Sequence, residues 1–174
     1  MSTQETKTDK ILFVDIETAP LIYHYKDLDG QGKKLWDKKW QYSPEISPEE
    51  RYNKAGIFAE FAKVVCISFG NFHGGKFYAK SIYGNDEKQL LTSFAEYLTK
   101  FYNTDLHNLC AHNGKEFDFP FLCRRMLING VQIPKILSIS GKKPWDVKLL
   151  DTLEMWKFGD YKNFTSLDLL AHVF

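Results

Sequence analysis

The sequence predicts an α/β protein, a mixed β-sheet with helices packed on it. Three observations predict this. Residues 11–16, 64–72 and 76–83 are short apolar or alternating runs with the length and pattern of strands. Residues 86–101 carry Leu90, Leu91, Phe94, Leu98 and Phe101 at three- and four-residue steps, the period of a helix. After them a short apolar run at 108–112 leads into a second helical stretch at 117–129. Strands able to pair antiparallel, followed by a βα continuation, make a mixed sheet.

Taken in order, residues 1–10 are polar and predict a loose tail. They contain no apolar segment of the kind a signal peptide needs. The run ILFVDI at 11–16 reads as a buried strand that Pro20 stops. Residues 21–60 differ in composition, rich in Lys, Trp, Tyr and Glu, and read as an insertion in a single domain spanning 11–174. Within them, Ser47-Pro48-Glu49-Glu50 is a helix start: a cap, a proline at the first position, then acids. VVCISFGNF at 64–72 and the alternating run at 76–83 flank Gly74-Gly75 and predict a hairpin. Asn85 or Asp86 caps the next helix, and Gly130 ends the one after it. From 131 to 164 the chain reads as irregular, and Thr165 or Ser166 caps a last helix that the chain end cuts short.

The length of 174 residues suffices for one domain with a proper core. A net charge of +1 excludes a whole-protein field that attracts polyanions; a nucleic-acid site has to be local. Cys66, Cys110 and Cys123 lack zinc-knuckle spacing and read as reduced cysteines of a cytoplasmic protein. No apolar stretch has the length of a membrane span.

Two segments carry chemistry. In Asp15-Ile16-Glu17, alternate residues of a strand face one side, so both carboxylates project together. Paired carboxylates suit hard divalent cations, although the same pattern also describes a solvent-facing acidic strand end. In the second segment, 111–122, a strand ends at His112, a polar turn follows, and Asp118 opens an apolar helix among Phe117, Phe119 and Phe121. Helix capping is the simpler reading of Asp118 alone.

Together these segments resemble the DEDD family of 3′–5′ exonucleases in the ribonuclease H-like superfamily. Residues 13–18 match its first motif, and Asn-x-x-x-Phe-Asp at 113–118 matches its second. Pro120-Phe121-Leu122 looks most like the proofreading domains of family-B DNA polymerases, and the chain most resembles the stand-alone bacterial exonucleases related to those domains. Asp151-Thr152-Leu153 and residues 166–170 look like the stretch before the third motif. The resemblance implies a ribonuclease H-like mixed sheet with flanking helices. It also implies hydrolysis at a free 3′ end of single-stranded nucleic acid, with DNA favoured over RNA. Asp15, Glu17 and Asp118 would be ligands of two Mg²⁺ or Mn²⁺ ions. Thr18 would contact the terminal nucleotide and Asn113 would order the loop beneath Asp118. Phe117 would stack near a base, although a core role is the simpler reading.

The family's third motif, Tyr-x-x-x-Asp or His-x-x-x-x-Asp, supplies a fourth carboxylate and a water-positioning residue. Neither pattern occurs after Ser166, so the chain is expected to be a fragment or a short form with little activity. The alternative is a non-catalytic nucleic-acid-binding module of the same fold. Basic and aromatic residues interleave at 33–40, which suits a grip on single strands. The same segment also reads as a surface helix with Leu35, Trp36 and Trp40 turned inward. Arg124-Arg125 and Lys142-Lys143 are further candidates for tracking a strand.

Overall fold

The computed structural model describes residues 7–42 and 45–174. Residues 1–6 of the expected tail lie outside them; Thr8–Lys10 forms a single 3-10 turn. Five strands form one sheet: β1 (Ile11–Pro20), β2 (Ala62–His73), β3 (Lys76–Tyr83), β4 (Asn108–Ala111) and β5 (Leu149–Asp151). Their order is β3-β2-β1-β4-β5. β1 pairs antiparallel with β2, and β2 with β3, while β4 runs parallel to both β1 and β5. The expected mixed sheet with flanking helices is the architecture observed.

The hairpin turns on Gly74 and Gly75, whose φ values of 57° and 76° suit residues without a Cβ. A register shift opposite Glu17 and Thr18 skips Val65 of β2. The extra residue lets Val64 and Ile67, three positions apart, both point into the core. That core lies between one face of the sheet and two helices, α3 (Glu87–Phe101) and α4 (Asp118–Ile128). It holds Leu12, Val14 and Ile16 of β1 with Leu91, Phe94 and Leu98 of α3 and Phe119, Leu122 and Met126 of α4.

The described residues of the 21–60 segment include α1 (Gly30–Lys39) and α2 (Pro48–Tyr52), which contribute to a separate aromatic cluster. Trp36, fully buried, packs edge-on against Tyr52, Phe58 and Phe61 at 5.0–5.7 Å. Ser47 caps α2 as expected. Leu35, expected to face inward, is 52% exposed, because the helix turns Trp36 rather than its neighbour into the cluster. Arg125 corrects a second expectation. It is no strand-tracking cation but a buried one, bonded through Nη2 to Glu87 Oε2 at 2.5 Å and through Nη1 to the Ala59 carbonyl at 2.8 Å. Glu87 Oε1 also accepts from Val64 N, so the pair ties α3 and α4 to the start of β2.

The stretch expected to be irregular contains β5 and α5 (Thr152–Lys157). Ser166 caps α6 (Leu167–Val173). No helix among the described residues is long and apolar enough to cross a membrane.

Candidate active site

β1 and β4 run parallel and adjacent, with Phe13 opposite Cys110. The turn that leaves β4 therefore starts beside Asp15. Such a crevice at the carboxyl ends of parallel strands is where ligands bind in open α/β sheets. Ile16, between the two acids of β1, is buried, and Asp15 and Glu17 are exposed on the opposite side, as strand alternation demands.

The turn at residues 112–117 delivers Asp118. Asn113 adopts the left-handed conformation at φ 60°. Its carbonyl accepts from Phe117 N at 3.0 Å, and that of Gly114 accepts from Phe119 N at 2.9 Å. A Cβ on Gly114 would collide with the Ala111 side chain and come within 3.1 Å of the Phe119 ring. The close approach of turn and helix thus requires glycine there.

Asp118 is only 4% exposed, and its Oδ1 accepts the Ile16 main-chain N–H at 3.1 Å. That bond places it beside Asp15. It is not a helix cap: Phe117 occupies the cap position and no side chain caps α4. Burial pushes the Asp118 carboxyl up to about 7, and the neighbouring Asp15 carboxylate pushes the same way. The N–H groups of Asp118 and Ile16 oppose the rise, and Asp151 adds to it. Asp15, although exposed, is also raised, by partial desolvation of its carboxyl. Among the described residues neither aspartate forms an ion pair. The arrangement is two adjacent acids with raised proton affinity and no protein cation to balance them.

The structure brings Asp15 and Asp118 together, but not Glu17 with them as a third ligand. Among the described residues no group of three or more His, Cys, Asp or Glu side chains is close enough to hold a metal ion. Thr18 lies past the register shift and donates its hydroxyl to the Gly56 carbonyl at 2.7 Å. Asn113 orders the turn through its backbone. Phe117 is half-buried against Phe121, ring centroids 5.5 Å apart. His112 bonds through Nδ1 to Thr152 Oγ1 and through Nε2 to the Thr165 carbonyl, as a strand-end residue rather than a base. A cavity of about 400 Å³, lined by Phe13, Phe77, Cys110 and Leu167, opens on the sheet face beside Asp15.

Residues 57–173 match the family model of predicted 3′–5′ exonucleases related to the exonuclease domain of PolB. The chain belongs to this family. No curated protein sequence is significantly similar to it. Solved structures that match the chain include the zinc-bound complex of E. coli exonuclease I with single-stranded DNA, at 11% identity and a TM-score of 0.46. That match covers 84% of this chain and 28% of the other. The complex of E. coli exonuclease I with a dT13 oligonucleotide matches at 11% identity and TM-score 0.46, covering 91% and 32%. A product-bound exonuclease I matches at 11% and 0.48, covering 93% and 35%. The chain therefore spans about a third of the length of these exonuclease I chains.

Proposed function

We propose that this protein is a divalent-metal-dependent 3′–5′ exonuclease acting on single-stranded DNA. The observation that carries the reading is the buried, unpaired Asp118 carboxyl beside Asp15, at the ends of two parallel strands of a chain in this exonuclease family. The donor set fits Mg²⁺ or Mn²⁺, hard ions that bind through one or two carboxylates and complete their shell with water and substrate phosphate. A cation bound there supplies a lowered water pKa and charge stabilisation at the leaving 3′ oxygen.

The residues divide the remaining work. Asp118 holds a proton near neutrality and yields it when a cation is offered, because burial and Asp15 both disfavour its bare charge. Glu17, exposed on the same side of β1 as Asp15, would be available to a bound ion or to substrate. Thr18 donates to Gly56 and keeps its oxygen lone pairs for a terminal 3′ hydroxyl. Asn113 holds the turn beneath Asp118, and Phe117 offers a partly open ring edge to a base. The free cysteines support a reducing, cytoplasmic setting.

A second reading, a binding module without turnover, draws support from the two-carboxylate cluster, which gathers no third ligand among the described residues. One assay separates them. A 5′-labelled oligonucleotide is incubated with the protein in excess, with Mn²⁺ or with chelator. We expect slow, Mn²⁺-dependent shortening from the 3′ end that Asp118→Asn abolishes. The rate should be low, because among the described residues no third carboxylate gathers with Asp15 and Asp118. Retention of uncut oligonucleotide would favour the binding module.

A further inference from the structure

Asp151 is the most buried carboxylate of the described chain, 2% exposed, and no step above uses it. It ends β5, opposite Ala111 of β4, at the same edge of the sheet as Asp15. Both its oxygens are committed to main-chain N–H groups. Oδ1 accepts from Asn113 N and Leu153 N at 2.9 Å each and from Glu154 N at 3.4 Å; Oδ2 accepts from Lys115 N at 3.0 Å. A carboxylate so occupied is a poor metal ligand and a strong anchor, because hydrogen bonds to a charged acceptor are about twice as strong as neutral ones.

What it anchors is the turn that carries Asp118. Asn113 and Lys115, held by Asp151, bracket Gly114. The carbonyls of Asn113 and Gly114 in turn receive Phe117 N and Phe119 N, the residues on either side of Asp118. Asp118 then reaches Ile16 N beside Asp15. Two neighbours reinforce the clamp: Thr152 Oγ1 bonds His112 Nδ1 at 2.9 Å, and Glu154 Oε2 bonds Lys115 Nζ at 2.6 Å.

We infer that Asp151 is a positioning residue that sets the Asp118 carboxylate against Asp15 by holding the turn at Asn113 and Lys115. The inference rests on the metal-site reading for its catalytic meaning, but the contact it describes can be tested without metal.

The informative variant is Asp151→Asn. Asparagine keeps one acceptor, which preserves the cap of α5 and the bond to Asn113. Its amide then faces Lys115 N, donor against donor, so the turn is released while the helix stays capped. Leu153→Ala, which removes a buried side chain and keeps the main-chain N–H that bonds Asp151 Oδ1, is the control for lost stability alone.

Two readouts are taken on folded protein: Mn²⁺ affinity, and hydrogen exchange of the Ile16 amide in metal-free protein. We expect Asp151→Asn to weaken Mn²⁺ binding by about tenfold or more, as loss of outer-shell partners does, and to speed Ile16 exchange. Leu153→Ala should lower the melting temperature yet leave both readouts near wild type. Equal effects of the two variants, or unchanged Ile16 exchange in Asp151→Asn, would overturn the inference. If the wild type binds no Mn²⁺, the metal-site reading fails by itself, and the exchange data still decide whether Asp151 positions Asp118.

Discussion

At the scale of single residues, Asp118 is where the proposed function and stability pull apart. Its carboxyl is raised from 3.8 to about 7, which corresponds to roughly 4 kcal/mol. Between about pH 4 and 7 the folded protein keeps a proton that the unfolded chain has released. Metal-free stability should therefore fall as pH rises through that window and level off above it. Asparagine has no charge to bury and retains an oxygen for Ile16 N. We predict that metal-free Asp118→Asn outlasts the wild type in urea at pH 8, matches it near pH 4, and gains nothing from Mn²⁺. Glu87 contributes with the opposite sign. Its bonds to Arg125, Val64 and Asn129 outweigh burial and hold it below the usual range, so its contribution is lost as pH falls through that lowered value. Both proteins carry Glu87, so the difference between them isolates Asp118. A wild type that is the more stable of the two at pH 8 would contradict the assignment. Asp15 and Asp118 were legible in the sequence because each sits in a local pattern, an alternating strand end and a turn opening a helix. Asp151 was not. Its partners Asn113 and Lys115 lie 38 and 36 residues away and are reached only through the parallel pairing of β4 with β5.

At the scale of elements, the long periodic segments could be read and the short ones could not. The β2–β3 hairpin, α3 and α4 fell close to their expected bounds because apolar periodicity and turn residues agreed there. β5 has three residues and α5 six, too short for a period to show, and β5 exists only as an addition to the edge of β4. The doublet Arg124-Arg125 looked like a charged surface because sequence does not reveal which member of a pair turns inward. Arg125 points to Glu87, a contact across 38 residues. We predict that Arg125→Ala, which strands a buried Glu87, costs about 3–5 kcal/mol in chemical denaturation. Replacing both partners by apolar residues should cost less than removing the arginine alone. A loss below about 1 kcal/mol would show that the pair is not the brace between α3, α4 and β2 described above.

At the scale of the whole molecule, the sheet is a device for bringing strand ends to one edge. β1, β4 and β5 run parallel there. β1 supplies Asp15, β4 launches the turn to Asp118, and β5 ends in the anchor of that turn. The helices α3 and α4 brace the opposite face and keep the register of β1 fixed by burying Val14 and Ile16, the neighbours of Asp15. The account's central claim is that this edge is a divalent-cation site built on Asp15 and Asp118. The most direct measurement is an anomalous difference map from crystals soaked in Mn²⁺ near pH 8, where Asp118 has given up its proton. The account predicts a peak within about 2.0–2.6 Å of an oxygen of Asp15 and of one of Asp118, absent from crystals of Asp118→Asn. A fully soaked crystal with no peak there, or with its strongest peak elsewhere and unchanged in Asp118→Asn, would contradict it.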